Sequence, residues 1–135
     1  MALDLSPLVK TVARLDEGLA RFRTDEADSQ IRDGLIQRFE FTYDLSHRML
    51  RSALEAAAAN PEEVDRMSFP SLICTAFEQG LVASDWTAWR TWRELRRMAS
   101  HTYDEANARQ VVDAIPGFLA ETHEVTRRLA ATGTM

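Results

Sequence analysis

The chain has 135 residues, of which 45% are hydrophobic and 27% charged, and carries a formal charge of −5. That length suits one domain over residues 1–135, and the composition excludes collagen-like, disulfide-rich and disordered chains. The acidic total excludes a protein that coats nucleic acid indiscriminately, because such binding draws on summed positive charge, so any contact with nucleic acid must come from a local patch.

Proline and glycine punctuation divides the chain into five predicted helices. Ser6 as N-cap and Pro7 at the first helical position open the first, with Leu8, Val12, Leu15, Leu19 and Phe22 as its apolar stripe, and it ends near Arg23. An acidic turn, Thr24 to Asp28, leads into a long helix capped by Asp28 and running from about Ser29 to Ala59. Ile31, Leu35, Phe39, Thr42, Met49, Ala53 and Ala57 form its inner stripe. Asn60-Pro61 stops it, and a polar stretch, Glu62 to Met67, follows. Ser68 caps a short third helix holding Leu72, Ile73, Ala76 and Phe77, which Gly80 closes. Ser84 or Asp85 caps the fourth, with Trp86, Trp89, Trp92, Leu95 and Met98, running to about Ser100. Asp104 caps the fifth, which buries Val111, Val112, Ile115, Phe118, Leu119, Val125 and Leu129. Pro116-Gly117 inside it predicts a kink or a break, and the end from Ala131 to Met135 should fray. No segment alternates with period two, so the expected fold is all-α, an up-and-down bundle of about five helices.

The fourth helix differs from the rest. Between Trp86 and Tyr103 it holds Arg90, Arg93, Arg96 and Arg97 against the single acid Glu94, a local +3 in a chain of −5. At about 100° per residue, Arg90, Arg93, Arg97 and His101 fall within an arc of roughly 80° that includes Trp86, opposite a stripe of Ala88, Trp92, Leu95 and Ala99. A basic face beside an indole can hold phosphates and stack a base. The alternative is a solvated face whose arginines pair with acids of neighbouring helices.

The run Arg96-Arg97-Met98-Ala99-Ser100-His101-Thr102-Tyr103-Asp104-Glu105 has the pattern Arg, four residues, His, one residue, Tyr. It resembles the HEPN proteins encoded beside minimal nucleotidyltransferases, in particular the group called nucleotidyltransferase substrate-binding proteins. Two further stretches, Arg32 to Leu45 and Ala76 to Leu81, resemble that group in the same order. Two departures stand out: relatives carry asparagine where this chain has Arg97, and Ala-Trp-Lys where it has Ser46-His47-Arg48. Whether Arg96 by spacing or Arg97 by helical facing is the functional arginine stays open. A continuous helix sets Arg96 and His101 about 140° apart, so either the helix ends before His101 or two subunits face each other.

The resemblance implies a homodimer in the bacterial or archaeal cytoplasm, with a shared cleft that cuts RNA without metal or cofactor. His101 would move protons, and Arg96 or Arg97 would stabilise charge on the phosphorus oxygens. It also implies that a partner nucleotidyltransferase transfers AMP onto Tyr103; the basic face itself makes Arg90, Arg93 and Trp86 the candidates for binding the nucleic acid or nucleotide. The rival reading is a non-catalytic subunit presenting substrate to the partner enzyme; a third is a dimerisation module with Trp86 and Trp89 at its interface. No ligand spacing for a metal is present, nor the Gly-Ser and paired-aspartate segment of a nucleotidyltransferase. Tyr103 without modification would pack at the helix turn with its hydroxyl bonded to backbone. His47 and Arg48 read as surface or interface residues, and His123 and Arg127 as a helical neighbour pair. Cys74 lacks an intrachain partner and reads as core. Met1 to Lys10 lacks the basic and apolar regions of a signal peptide, and Met67 to Phe77, the longest charge-free stretch, is far short of the roughly 20 apolar residues of a spanning helix; no membrane contact is expected.

Overall fold

The computed structural model describes residues 3–133. Among them the chain forms six α-helices and one 3₁₀ turn: α1 (Ser6–Thr24), α2 (Ser29–Ala57), α3 (Pro61–Asp65), α4 (Phe69–Glu78), α5 (Trp86–Met98), the 3₁₀ turn Ala99–His101, and α6 (Glu105–Gly133). Helices α1, α2 and α6 pack on one another, α5 lies on α6 and α2, and α4 fills the corner between α2 and α5. Among the described residues no helix is long and apolar enough to cross a membrane.

The capping chemistry explains most of the boundaries. Asp28 accepts from the amides of Gln30 and Ile31 at 2.9 and 3.2 Å, Ser68 from Ser71 at 3.3 Å, and Asp104 from Ala106 and Asn107 at 2.8 and 3.4 Å. At α1 the expected Ser6 cap is displaced by one residue: Leu5 occupies the N-cap position, and the Ser6 amide donates to Asp4 Oδ1 at 3.0 Å. The polar stretch after Asn60 is a sixth helix, because Asn60 accepts from Glu62 N at 3.2 Å and Pro61 presets the helical φ.

The core is one contiguous cluster drawn from every helix. Every residue predicted to face inward from α1 and α6 is buried. Along α2 the stripe holds through Leu35, Phe39 and Thr42, then steps one position to Tyr43, Ser46, Leu50 and Leu54. Met49 and Ala53 are half-buried and Ala57 is exposed, since a 3.6-residue period precesses over so long a helix and alanine adds too little area to hold a register. Cys74 is exposed, not core, one step off the face of Leu72, Ile73 and Ala76. Phe77 is also exposed.

α6 continues through Pro116-Gly117, so the expected break does not occur. Proline costs about 3 kcal/mol in a helix interior. Ile115, Phe118 and Leu119 are buried, at roughly 1.5–3 kcal/mol each, while Pro116 and Gly117 face solvent; burial outweighs the lost ladder bond. The helix takes in Ala131, Thr132 and Gly133 as well, and the rest of the end expected to fray, Thr134 and Met135, lies outside the described residues. His123 and Arg127 do not pair: His123 Nε2 lies 3.1 Å from Asp16 Oδ2, and Arg127 binds Glu124.

Candidate functional site

Helix α5 is placed by its surroundings before its own surface matters. Gly80, at φ +75°, turns the chain out of α4, a conformation open to glycine without strain. The following loop is tied to α6. Buried Glu121 accepts from Ala83 N at 3.0 Å and Ser84 N at 2.8 Å, and Arg128 Nη1 donates to the carbonyls of Val82 and Gly80 at 3.0 and 3.3 Å. Asp85, not Ser84, then caps α5 by accepting from Thr87 N at 3.0 Å. On its inner side Trp89 and Trp92 meet edge to face, 5.1 Å between centroids, and both pack edge-on against Phe118 of α6 at 6.1 and 5.4 Å. Trp89 is fully buried, so it cannot serve as an interface residue.

The outer side carries the cations. Arg90, Arg93 and Arg97 are exposed, as predicted, and Arg97 pairs with Glu94 at 2.9 Å. The Arg93 guanidinium carbon lies 5.6 Å from the centroid of the Phe69 ring, a cation–π contact. Trp86 is half-buried in the seam with α4, edge-on to Phe69 at 5.7 Å, so only part of the indole is open to a base.

Arg96 faces the other way, toward α2. Its Nε and Nη2 donate to the two oxygens of Asp44, each at 3.0 Å, and Nη1 donates to Glu40 at 2.7 Å. This is the pairing with acids of a neighbouring helix that the sequence left as the alternative. The Asp44 hydrogen bonds, with the fields of Asp44 and Glu40, raise the affinity of this guanidinium for its proton against partial burial. Three of its five N–H groups are engaged and two remain.

His47 completes this side of the cluster. It is half-buried, its ring 4.4 Å from Phe69 between centroids and its Nε2 3.5 Å from Arg51 Nη2. Burial, then the charges of Arg51 and Arg93, lower its pKa, and Asp44 opposes them. Burial pushes the neighbouring Tyr43 hydroxyl up to about 12, so it stays protonated. Sequence reasoning missed Glu40 and Asp44 as partners of Arg96 and missed the loop clamp of Glu121. The signal for the first was available: Glu40, Asp44, His47 and Arg51 recur at three- and four-residue steps along one stripe of α2.

The α-helix gives way at Met98, and His101 ends a 3₁₀ turn. The imidazole is exposed, 6.1 Å between ring centroids from Tyr103. Tyr103 is 87% exposed, not packed at the turn. Within one chain, then, the imidazole and phenol are both exposed on the turn that follows the helix carrying Arg90, Arg93 and Arg97, while Arg96 is committed to α2. Among the described residues no three His, Cys, Asp or Glu side chains group as metal ligands.

Residues 3–131 match the family described as nucleotidyltransferase substrate binding protein like. The probable ribonuclease HepT of Haemophilus influenzae is 34% identical over 96 residues, an alignment that takes in 71% of this chain and 65% of that protein. A solved Haemophilus influenzae structure, described as revealing the fold of a substrate binding domain of a nucleotidyltransferase, superimposes with a TM-score of 0.85 at 29% identity, over 93% of this chain and 98% of that one.

Proposed function

The chain belongs to the nucleotidyltransferase substrate-binding protein-like family, and from that premise we propose that it is the HEPN half of a two-gene pair, a metal-independent endoribonuclease toxin that works as a homodimer in the cytoplasm. The observation that carries the reading is the open placement of His101 and Tyr103 on the turn after α5, the helix with the cationic face. In the cleavage step the ribose 2′-oxygen attacks phosphorus, the P–O5′ bond breaks, and a 2′,3′-cyclic phosphate and a 5′-hydroxyl form. His101 takes the 2′-hydroxyl proton or supplies one to the departing 5′-oxygen. Arg96, oriented by Asp44 and Glu40, aims its two remaining N–H groups at the phosphorus oxygens across the dimer cleft, and Arg97, Arg93 and Arg90 hold flanking phosphates with Trp86 at the edge.

The partner nucleotidyltransferase silences the site by adenylylation. The Tyr103 hydroxyl attacks the α-phosphorus of ATP, pyrophosphate leaves, and the hydroxyl proton passes to solvent. The added phosphodiester charge sits two residues from His101, where it competes with RNA for the arginines. The test is cleavage of single-stranded RNA by purified protein in chelator. Wild type should cut and His101→Ala should not, and co-expression with the partner should add AMP to Tyr103 as read by mass spectrometry. Cleavage that survives His101→Ala removes this mechanism.

One observation favours the rival reading, a subunit that presents substrate without cutting it: the Arg96 charge is already matched by two carboxylates. On that reading nucleotide or RNA quenches the tryptophan fluorescence, and no cleavage is seen under any condition.

A further inference from the structure

The seam between α1 and α2 holds a second group of cations, which the proposed site does not use. Lys10, Arg14 and Arg21 recur at steps of four and seven along α1, and Arg38 reaches across from α2. Two adjoining grooves that share Gly34 and Arg38 run along this seam, the larger of about 390 Å³, and no carboxylate lines either. Glu17, on the same flank of α1, is exposed and forms no salt bridge with these cations.

Arg38 is held in place. A Cβ at Gly18 would stand 3.1 Å from Arg38 Cδ, so the glycine lets the side chain lie across α1, where Nη1 donates to Arg14 O at 2.7 Å. None of Lys10, Arg14 and Arg38 forms a salt bridge among the described residues, and Arg21 donates to the Thr24 hydroxyl at 2.7 Å. In the larger groove Phe41 is 58% exposed, a large aromatic ring left in water on a lining it shares with three cations, Lys10, Arg14 and Arg38.

We propose that this seam is a second binding track for single-stranded RNA, with Phe41 stacking one base and Lys10, Arg14, Arg21 and Arg38 holding successive phosphates. It rests on the RNA substrate of the preceding section and extends it to two grooves that His101 does not line. Lys10 to Arg21 covers about 16 Å of helix, room for about five nucleotides at a rise of roughly 3.4 Å. Each nucleotide supplies both an anion and a π-face, which matches a groove offering cations and one open ring. An acidic protein surface would answer the cations and leave Phe41 in water.

The test uses fluorescent oligouridylate of about 15 nucleotides, bound to His101→Ala protein so that the ligand stays intact. Phe41→Ala in that background should weaken binding roughly tenfold. The double change Arg14→Ala, Arg21→Ala should lower the slope of log K against log salt by about 1.4, at roughly 0.7 per phosphate contact on a single strand. Both positions are exposed, and unchanged circular dichroism melts would confirm folding. A 4-thiouridine oligomer should crosslink to the α1–α2 seam. Phe41→Ala in the wild-type background should leave cleavage of a dinucleotide, too short to span both surfaces, unchanged. Dinucleotide cleavage with oligomer affinity and slope unaltered by the seam variants overturns this proposal alone. Absence of all RNA binding and cleavage overturns the preceding reading and this one with it. Two further results overturn the seam as an RNA track: Phe41→Ala converting a dimer to monomer, which makes the seam an interface, or the variants weakening polyglutamate binding and not RNA.

Discussion

Two adjacent arginines, between which the sequence pattern left the functional role open, have different partners in the fold. Arg96 is the better-oriented guanidinium, gripped by Asp44 and Glu40, and Arg97 the more accessible. If orientation governs catalysis, Arg96→Ala should lower RNA cleavage by on the order of 10²-fold, the typical loss of one preorganised donor, and Arg97→Ala by only a few-fold; the reverse order in single-turnover assays would make Arg97 the functional residue. Arg96→Ala also leaves Glu40 and Asp44 without their cation, but these groups are part-exposed, so solvent holds that cost to about 1 kcal/mol. His47 gives a pH signature. Its folded pKa lies below its unfolded value, so the unfolded chain takes up the proton first as pH falls. Its contribution is therefore unchanged above the ordinary histidine range and turns destabilising as pH drops through that range toward the folded value. The loss of Tm between pH 7.5 and 5.5 should be larger in wild type than in His47→Gln, and equal losses would show that His47 is not the group responsible.

At the scale of elements, the position of α5 depends on a loop with almost no secondary structure of its own. Glu121 closes two backbone N–H groups just ahead of the helix, and both would be orphaned without it. Glu121→Ala should cost about 2 kcal/mol, the range for charged hydrogen bonds and buried donors left unmade, seen as a lower midpoint in chemical denaturation. Because α5 carries the arginines, the same change should weaken RNA binding, although Glu121 lies on α6 and outside the cationic face. Phe118 is the common partner of Phe39, Tyr43, Trp89 and Trp92. Phe118→Ala should cost about 3–5 kcal/mol, far more than Phe77→Ala at the exposed end of α4.

For the whole molecule, the central expectation is that two copies build each site. The single chain holds Arg96 against α2 and sets His101 on a separate turn, so a cleft needing both draws one from each protomer. Mixing Arg96→Ala with His101→Ala protein would then restore about a quarter of wild-type cleavage, since half the dimers are mixed and each of those has one intact site. No recovery on mixing, with a confirmed dimer, would place the complete site within one protomer.

The sequence by itself determined most of the helical architecture, because Asp28, Ser68 and Asp104 are local caps and the apolar stripes of α1 and α6 are local periodicities, whereas the short helix after Asn60 and the choice of Asp85 over Ser84 came from the structure. It also determined the cationic face of α5, a matter of spacing on one helix. What only the tertiary structure decided were relations between elements far apart in the chain. The stripe of α2 steps where its neighbours demand, α6 passes through Pro116 because burial outweighs one hydrogen bond, and Cys74 turns outward. Arg96 belongs to Glu40 and Asp44, more than fifty residues away; the spacing along α2 groups those two carboxylates on one stripe but does not name the cation they meet. Charges choose partners by distance in space, and that distance exists only after the helices have packed.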